Sequence, residues 1–215
     1  MKHATAEILR EWGPFEGVER VHGVTFDGER VWFASDNRLN ALDPASGRLE
    51  RSIEVAADAG TAFDGRFLWQ IAEDIIQKID PETGEVVATI PAPGAGGDSG
   101  LAWAEGTLWV GQHRGRKIHQ IDPETGEILR TIQSNRIVTG VTWIDGELWH
   151  GTWEGDESEI RRVDPQTGEV LERLHMPPGS GVSGLEGGDQ DRFFCGGGTS
   201  GKVRAVRRPR GPKKR

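Results

Sequence analysis

GVTFDGERVW at Gly23–Trp32, GTAFDGRFLW at Gly60–Trp69, GLAWAEGTLW at Gly100–Trp109 and GVTWIDGELW at Gly140–Trp149 are four copies of one pattern. Each opens on glycine, carries an aromatic residue three positions on and closes on tryptophan nine positions on. Asp-Gly or Glu-Gly lies between two apolar runs, the chemistry of a tight hairpin, because glycine tolerates positive φ. A fifth copy, GLEGGDQDRFF from Gly184, is degenerate and one residue longer. The opening glycines are 37, 40, 40 and 44 residues apart, the length of one four-stranded propeller blade.

A second signature follows each copy but the last: LDPASG at Leu42, IDPETG at Ile79, IDPETG at Ile121 and VDPQTG at Val163. Proline presets φ and the Asp side chain can bond the backbone two residues on, so this is a second tight turn, between strands C and D. EVVATI, EILRTI and EVLERL come after three of these turns and alternate as half-buried outer strands do. The fifth copy reaches strand C at Lys202–Val206 and has no outer strand, whereas TAEILREW from Thr5 matches TGEILRTI from Thr125. The expected fold is therefore all-β: a five-bladed β-propeller of four-stranded antiparallel blades, closed by the N-terminal strand, about residues 5–12, which completes blade five. Residues 1–206 form a single domain in this reading, and 207–215 a basic disordered tail. The repeated Trp positions read as packing between blades.

The chain has 215 residues and a formal net charge of −8. Its last nine residues hold six basic and no acidic side chains, leaving a body of 20 basic and 34 acidic residues at −14. Such a body repels nucleic acid, so no specific nucleic-acid partner is expected. A single cysteine, Cys195, excludes a disulfide or thiolate cluster within the chain. No apolar run has the length of a membrane span or of a signal-peptide core, so the expectation is a cytoplasmic monomer with no membrane association.

In such blades the A–B and C–D turns share one face, and the B–C loops and D–A crossovers share the other, called the top here. The top carries the variable sequence, where binding residues tend to sit. Comparing the copies exposes two departures. The residue before the opening glycine is Ala59, Ser99, Thr139 or Ser183, but His22 in blade one; the residue two after it is Thr25, Ala62, Ala102 or Thr142, but Glu186 in blade five. These blades are neighbours through the closure. His22 and Glu186 are thus the candidate catalytic residues, as a general base with its orienting carboxylate or as two ligands of a divalent metal ion. The plainer alternative is a surface histidine and a glutamate paired with an arginine. Asp98, His113, Arg114, Arg136 and Trp153 are the candidate substrate-binding residues, with Trp153 stacking on the ligand and the arginines fixing its anionic end. His150 and Cys195 follow the strand-B aromatics in adjacent blades, which reads as packing or as a thiol–imidazole pair.

GLAWAEGTLWVG with IDPETGEIL, and GVTWIDGELWHGTW with VDPQTGEVL, resemble the five-bladed glutaminyl-peptide cyclotransferases of plants and bacteria and, more loosely, the YVTN and streptogramin-lyase-type propellers. The resemblance covers nearly the whole chain and implies the propeller fold and lyase or cyclotransferase chemistry. It also implies catalytic glutamates near the starts of strand A in blades two and four, where this chain has Ala59-Gly60 and Thr139-Gly140. From the lyases it implies a metal and histidine on the top face, for which His22, His113 and Glu186 are the available side chains. Two functions follow as expectations: a top-face site for a small polar or peptide-like molecule, with or without catalysis, or a non-catalytic scaffold whose loops meet a protein partner.

Overall fold

A computed structural model describes residues 2–189 and 191–209. The described residues contain strands and no helix, hence no helix long and apolar enough to cross a membrane. In chain order the strands are β1 (Lys2–Thr5) and β2 (Ile8–Trp12), then blade one, β3 (Val24–Phe26), β4 (Val31–Ser35), β5 (Arg38–Leu42) and β6 (Leu49–Glu54). Blade two is β7 (Thr61–Phe63), β8 (Leu68–Ala72), β9 (Ile75–Ile79) and β10 (Val86–Pro91). Blade three is β11 (Asp98–Ala104), β12 (Thr107–Gln112), β13 (Lys117–Ile121) and β14 (Ile128–Gln133). Blade four is β15 (Val141–Ile144), β16 (Glu147–Glu154), β17 (Glu157–Val163) and β18 (Val170–His175), and β19 (Leu185–Gly187), β20 (Arg192–Gly196) and β21 (Val203–Arg207) begin blade five. The five sheets form the ring of a five-bladed β-propeller.

Both turn types are built as their chemistry requires. The Asp43, Asp80, Asp122 and Asp164 carboxylates each accept the N–H two residues on, at 2.7–2.8 Å, and Gly47, Gly84, Gly126 and Gly168 take φ between 76° and 79°. In the A–B hairpins, Trp32 and Trp69 donate their indole N–H to Asp27 and Asp64, so the turn holds the core aromatic that follows it.

Burial peaks in the second strand of each blade and falls off outward. β4 and β8 are buried throughout, whereas β10 buries only Ile90. Each seam between neighbouring blades holds one apolar cluster. Trp69, Ile76 and Ile90 of blade two, for example, meet Leu101, Leu108 and Ile121 of blade three. Trp69 stacks on Trp103 at 5.9 Å, Trp109 on Trp143 at 5.1 Å, and Trp149 meets Phe193 edge-on at 5.0 Å. The repeated aromatics therefore join blades, each pair adding about 1 kcal/mol beyond the area it buries.

The ring closes as the repeat count requires: β2 pairs antiparallel with β21, from Ile8 opposite Val206 to Trp12 opposite Val203. Glu11 pairs with Lys202 and Arg204 across that seam. The residues before it do something the repeats did not announce. β1 adds to blade four as a fifth strand, parallel to β18, with Lys2 opposite Glu172 and Thr5 opposite His175. The basic stretch also starts inside the fold. Arg207 ends β21, and Arg208 is buried with its guanidinium 2.5 Å from Asp145 and 3.7 Å from Asp191, because two carboxylates wait there to hold it. Residues 210–215, where the disordered tail was expected, lie outside the described residues.

Candidate functional site

The five opening glycines meet at the axis. A Cβ on Gly23 would lie 2.4 Å from the Ala59 carbonyl oxygen, on Gly60 2.5 Å from Leu101 N, and on Gly100 2.7 Å from Val141 N. On Gly140 it would lie 2.3 Å from Leu185 N, and on Gly184 2.4 Å from the His22 carbonyl oxygen. Each clash is with backbone of the next blade, so only glycine lets five inner strands approach this closely. Above this ring of glycines lies a top-face cavity.

The cavity has a volume of about 920 Å³. The five residues that precede the glycines, His22, Ala59, Ser99, Thr139 and Ser183, all line it. The Ser99 and Ser183 hydroxyls are spent on backbone carbonyls of their own and neighbouring blades. The Thr139 hydroxyl is buried with no hydrogen-bond partner. His22 is held by Asp36 of the blade-one B–C turn, Nε2 to Oδ1 at 3.0 Å.

Asp98 is 8% exposed in the cavity wall. Its Oδ2 accepts the Gly94 N–H at 2.8 Å, while Oδ1 is buried without a well-formed hydrogen bond. Burial raises its pKa to about 6, against the Gly94 N–H and the neighbouring Gln112 amide, which favour the charged form. Asp98 stands two residues before its opening glycine. The equivalent residues Val21, Val138 and Val182 are fully buried valines, and the equivalent in blade two is Asp58, which also lines the cavity. Two blades therefore replace a core valine by a carboxylate on the same wall. Sequence reading overlooked Asp58, though the valine rule it breaks was visible in the repeats.

His113 and Arg114 line the same space. Burial, and then the Arg114 charge, push the His113 imidazole below its ordinary pKa, toward the neutral form. The Trp153 ring lies flat against backbone: a Cβ on Gly181 would come within 2.4 Å of it and one on Gly198 within 2.6 Å. Its indole N–H donates to the Gly155 carbonyl at 3.2 Å. Arg20, Gln112 and Thr199 complete the polar lining and were not singled out from the sequence.

Two expected site residues are elsewhere. Arg136 does not line the cavity; Glu154 at 3.2 Å, Glu157 at 2.9 Å and Glu159 at 4.0 Å hold it in a network on blade four, which leaves it no free donor face for a ligand. Glu186 lies on the inner strand below the glycines. It accepts hydrogen bonds from Thr25 at 2.8 Å, Thr142 at 2.6 Å and the Gly187 N–H at 2.7 Å. Burial raises its pKa to about 7, these three donors working against that rise. His22 and Glu186 thus have separate partners and do not form the acid–base pair expected of them. Nor does the set His22, His113 and Glu186 fit a metal: among the described residues, no three His, Cys, Asp or Glu side chains come together to hold one. His150 and Cys195 are buried in the core, where burial lowers the imidazole to about 4 and raises the thiol to about 12, so neither is a nucleophile or base at neutral pH.

The five-bladed ring has a counterpart among solved structures. In fold the chain resembles a bacterial glutaminyl cyclase. The crystal structure of Myxococcus xanthus glutaminyl cyclase superposes with a TM-score of 0.80 over 96% of this chain and 97% of that one, at 17% sequence identity. Kuenenia stuttgartiensis hydrazine synthase matches less well, with a TM-score of 0.53 and 18% identity over 85% of this chain and 58% of that one. At these identities the likeness is one of fold. No protein-family model and no curated protein matches the sequence.

Proposed function

We propose that this propeller binds a small polar, peptide-like ligand in its top-face cavity. The observation that carries the reading is Asp98: a carboxyl set into the cavity wall where three other blades bury valine, with burial raising its pKa to about 6. Holding a carboxylate in such a wall without a matching cation is unfavourable, and a ligand N–H or ammonium brought against it would offset part of that cost. The volume lies within the range of ligand sites, roughly 300–1,000 Å³. Trp153 offers an aromatic surface in the cavity lining. A carboxyl titrating near neutrality and an imidazole oriented by a carboxylate are also the groups that proton transfer requires. Glutaminyl cyclisation, the activity named for the Myxococcus protein, is therefore the first reaction to assay.

The test is thermal unfolding of the full chain against a panel of short peptides, some with N-terminal glutamine, with ammonia release measured in parallel. A ligand that binds only the folded state raises the melting temperature. The expected result is a rise for some of the panel that is lost in Asp98→Asn and reduced in Trp153→Ala. A flat response across the panel, or an Asp98→Asn variant that responds like wild type, would overturn the reading and favour the protein-scaffold alternative.

A further inference from the structure

We infer that the cavity selects an anionic ligand, reading a carboxylate or phosphate group with Arg20 and Arg114. This rests on the cavity being a ligand site and narrows what it takes. Both arginines line the cavity, Arg20 from the crossover into blade one and Arg114 from the B–C loop of blade three. Neither guanidinium has a hydrogen bond or ion pair among the described residues. Two residues beyond Arg114, Arg116 is bound to Glu154 at 3.3 Å, and Arg136 is held by three glutamates. Arg30, Arg38, Arg161, Arg162, Arg192 and Arg204 are likewise each paired with a carboxylate.

In a chain with net charge −8, carboxylates outnumber cations, so an arginine finds a partner easily. Two unpaired arginines in the lining of one open cavity place two planar guanidinium groups beside the same volume. A guanidinium matches carboxylate and phosphate oxygens in pairs, and a cleft concentrates its field. His113 beside Arg114 is pushed toward its neutral form, in which one ring N–H can still donate a hydrogen bond to an anion. The acidic side chains of the cavity, Asp58 and Asp98, make no bond to either arginine; they are left to face the opposite, amine-bearing end of the ligand. A short peptide with a free C-terminus has both ends.

The experiment is a calorimetric titration of the full chain at pH 7.5 and low salt with three probes: the tripeptide Ala-Gly-Gly, its C-terminal amide, and inorganic phosphate as competitor. The free acid is expected to bind at least about tenfold more tightly than the amide, the scale of one charge-assisted bond. Arg20→Met and Arg114→Met should each lose about that factor for the acid and nothing for the amide. Both positions are exposed, so the variants should melt with wild type, which separates lost recognition from lost fold. Competition by phosphate would extend the ligand class to phosphate esters, and its absence would confine it to carboxylates; either supports the proposal. Equal binding of acid and amide, wild-type affinity in both variants, or no binding of either peptide would overturn it. The wider reading of the cavity would still stand if uncharged members of the peptide panel raised the melting temperature.

Discussion

Asp98 and Glu186 are both carboxyls that burial lifts toward neutrality, to about 6 and about 7, yet they occupy unlike surroundings on the two sides of the glycine ring. Glu186 is surrounded by donors: one hydroxyl from each flanking blade and a backbone N–H. It links the inner strands of blades one, four and five and has its acceptors filled. Asp98 has the Gly94 N–H and the neighbouring Gln112 amide, from its own blade and the crossover into it. Position within the repeat marked Glu186 as a departure, and the buried valines of three other blades mark Asp98 as another. The origin of the partners separates a carboxyl that fastens blades from one set in the wall of a cavity.

The most severe way to break this arrangement is to breach the ring between the two. Gly184→Ala would place a methyl group 2.4 Å from a backbone oxygen that cannot yield without moving blade one. A loss of about 3 kcal/mol or more is expected, a drop on the order of 10 °C in melting temperature. Wild-type stability would show that the inner strands have slack.

Next in size is Glu186→Ala, which strands the Thr25 and Thr142 hydroxyls and the Gly187 N–H. It should cost about 2–3 kcal/mol by denaturant unfolding, with ligand binding unchanged; a loss of binding equal to that of Asp98→Asn would merge the two regions into one site. Glu186→Gln should be milder and should sharpen the pH dependence. Because the folded pKa is raised from 4.5 to about 7, the folded state holds the proton more tightly. The stability this gives is full below about pH 4.5 and is lost as pH rises through about 7, by up to about 3 kcal/mol. The glutamine variant should flatten that slope.

The smallest effect on the fold should come from Asp98→Asn. Removing a buried charge at pH 8 is expected to change stability by less than about 1 kcal/mol, in the stabilising direction. Its own share of the slope, between its ordinary 3.8 and about 6, should vanish. A large destabilisation would make Asp98 a fastening group like Glu186.

The fold was legible because a propeller writes its geometry once per blade. The glycine that allows close approach, the aromatic of the seam and the aspartate of each turn recur at fixed spacing, and the missing outer strand of blade five was found at the start of the chain. The candidate site was legible in part, because the variable top-face loops and crossovers pointed to His22, Asp98, His113, Arg114 and Trp153, all of which line the cavity. Reading failed where the partners came from other segments. Arg136 belongs to glutamates of blade four, and Glu186 to threonines that the alignment had shown only as small residues. The parallel docking of β1 on blade four could not be read either, since its partner strand β18 carries no mark distinguishing it from other outer strands.

The closure between β2 and β21 has a consequence for the order of events when the chain is made. Apart from β1 on β18, every other pairing within a blade joins strands adjacent in sequence, and can form as those residues emerge from the ribosome. The last blade instead needs Ile8–Trp12 and Val203–Arg207 together, two segments separated by almost the whole chain. Blades one to four must wait as an open arc, with the apolar flank of blade one uncovered, until synthesis reaches the final strand. Aggregation during expression should therefore be governed by how long that arc stays open.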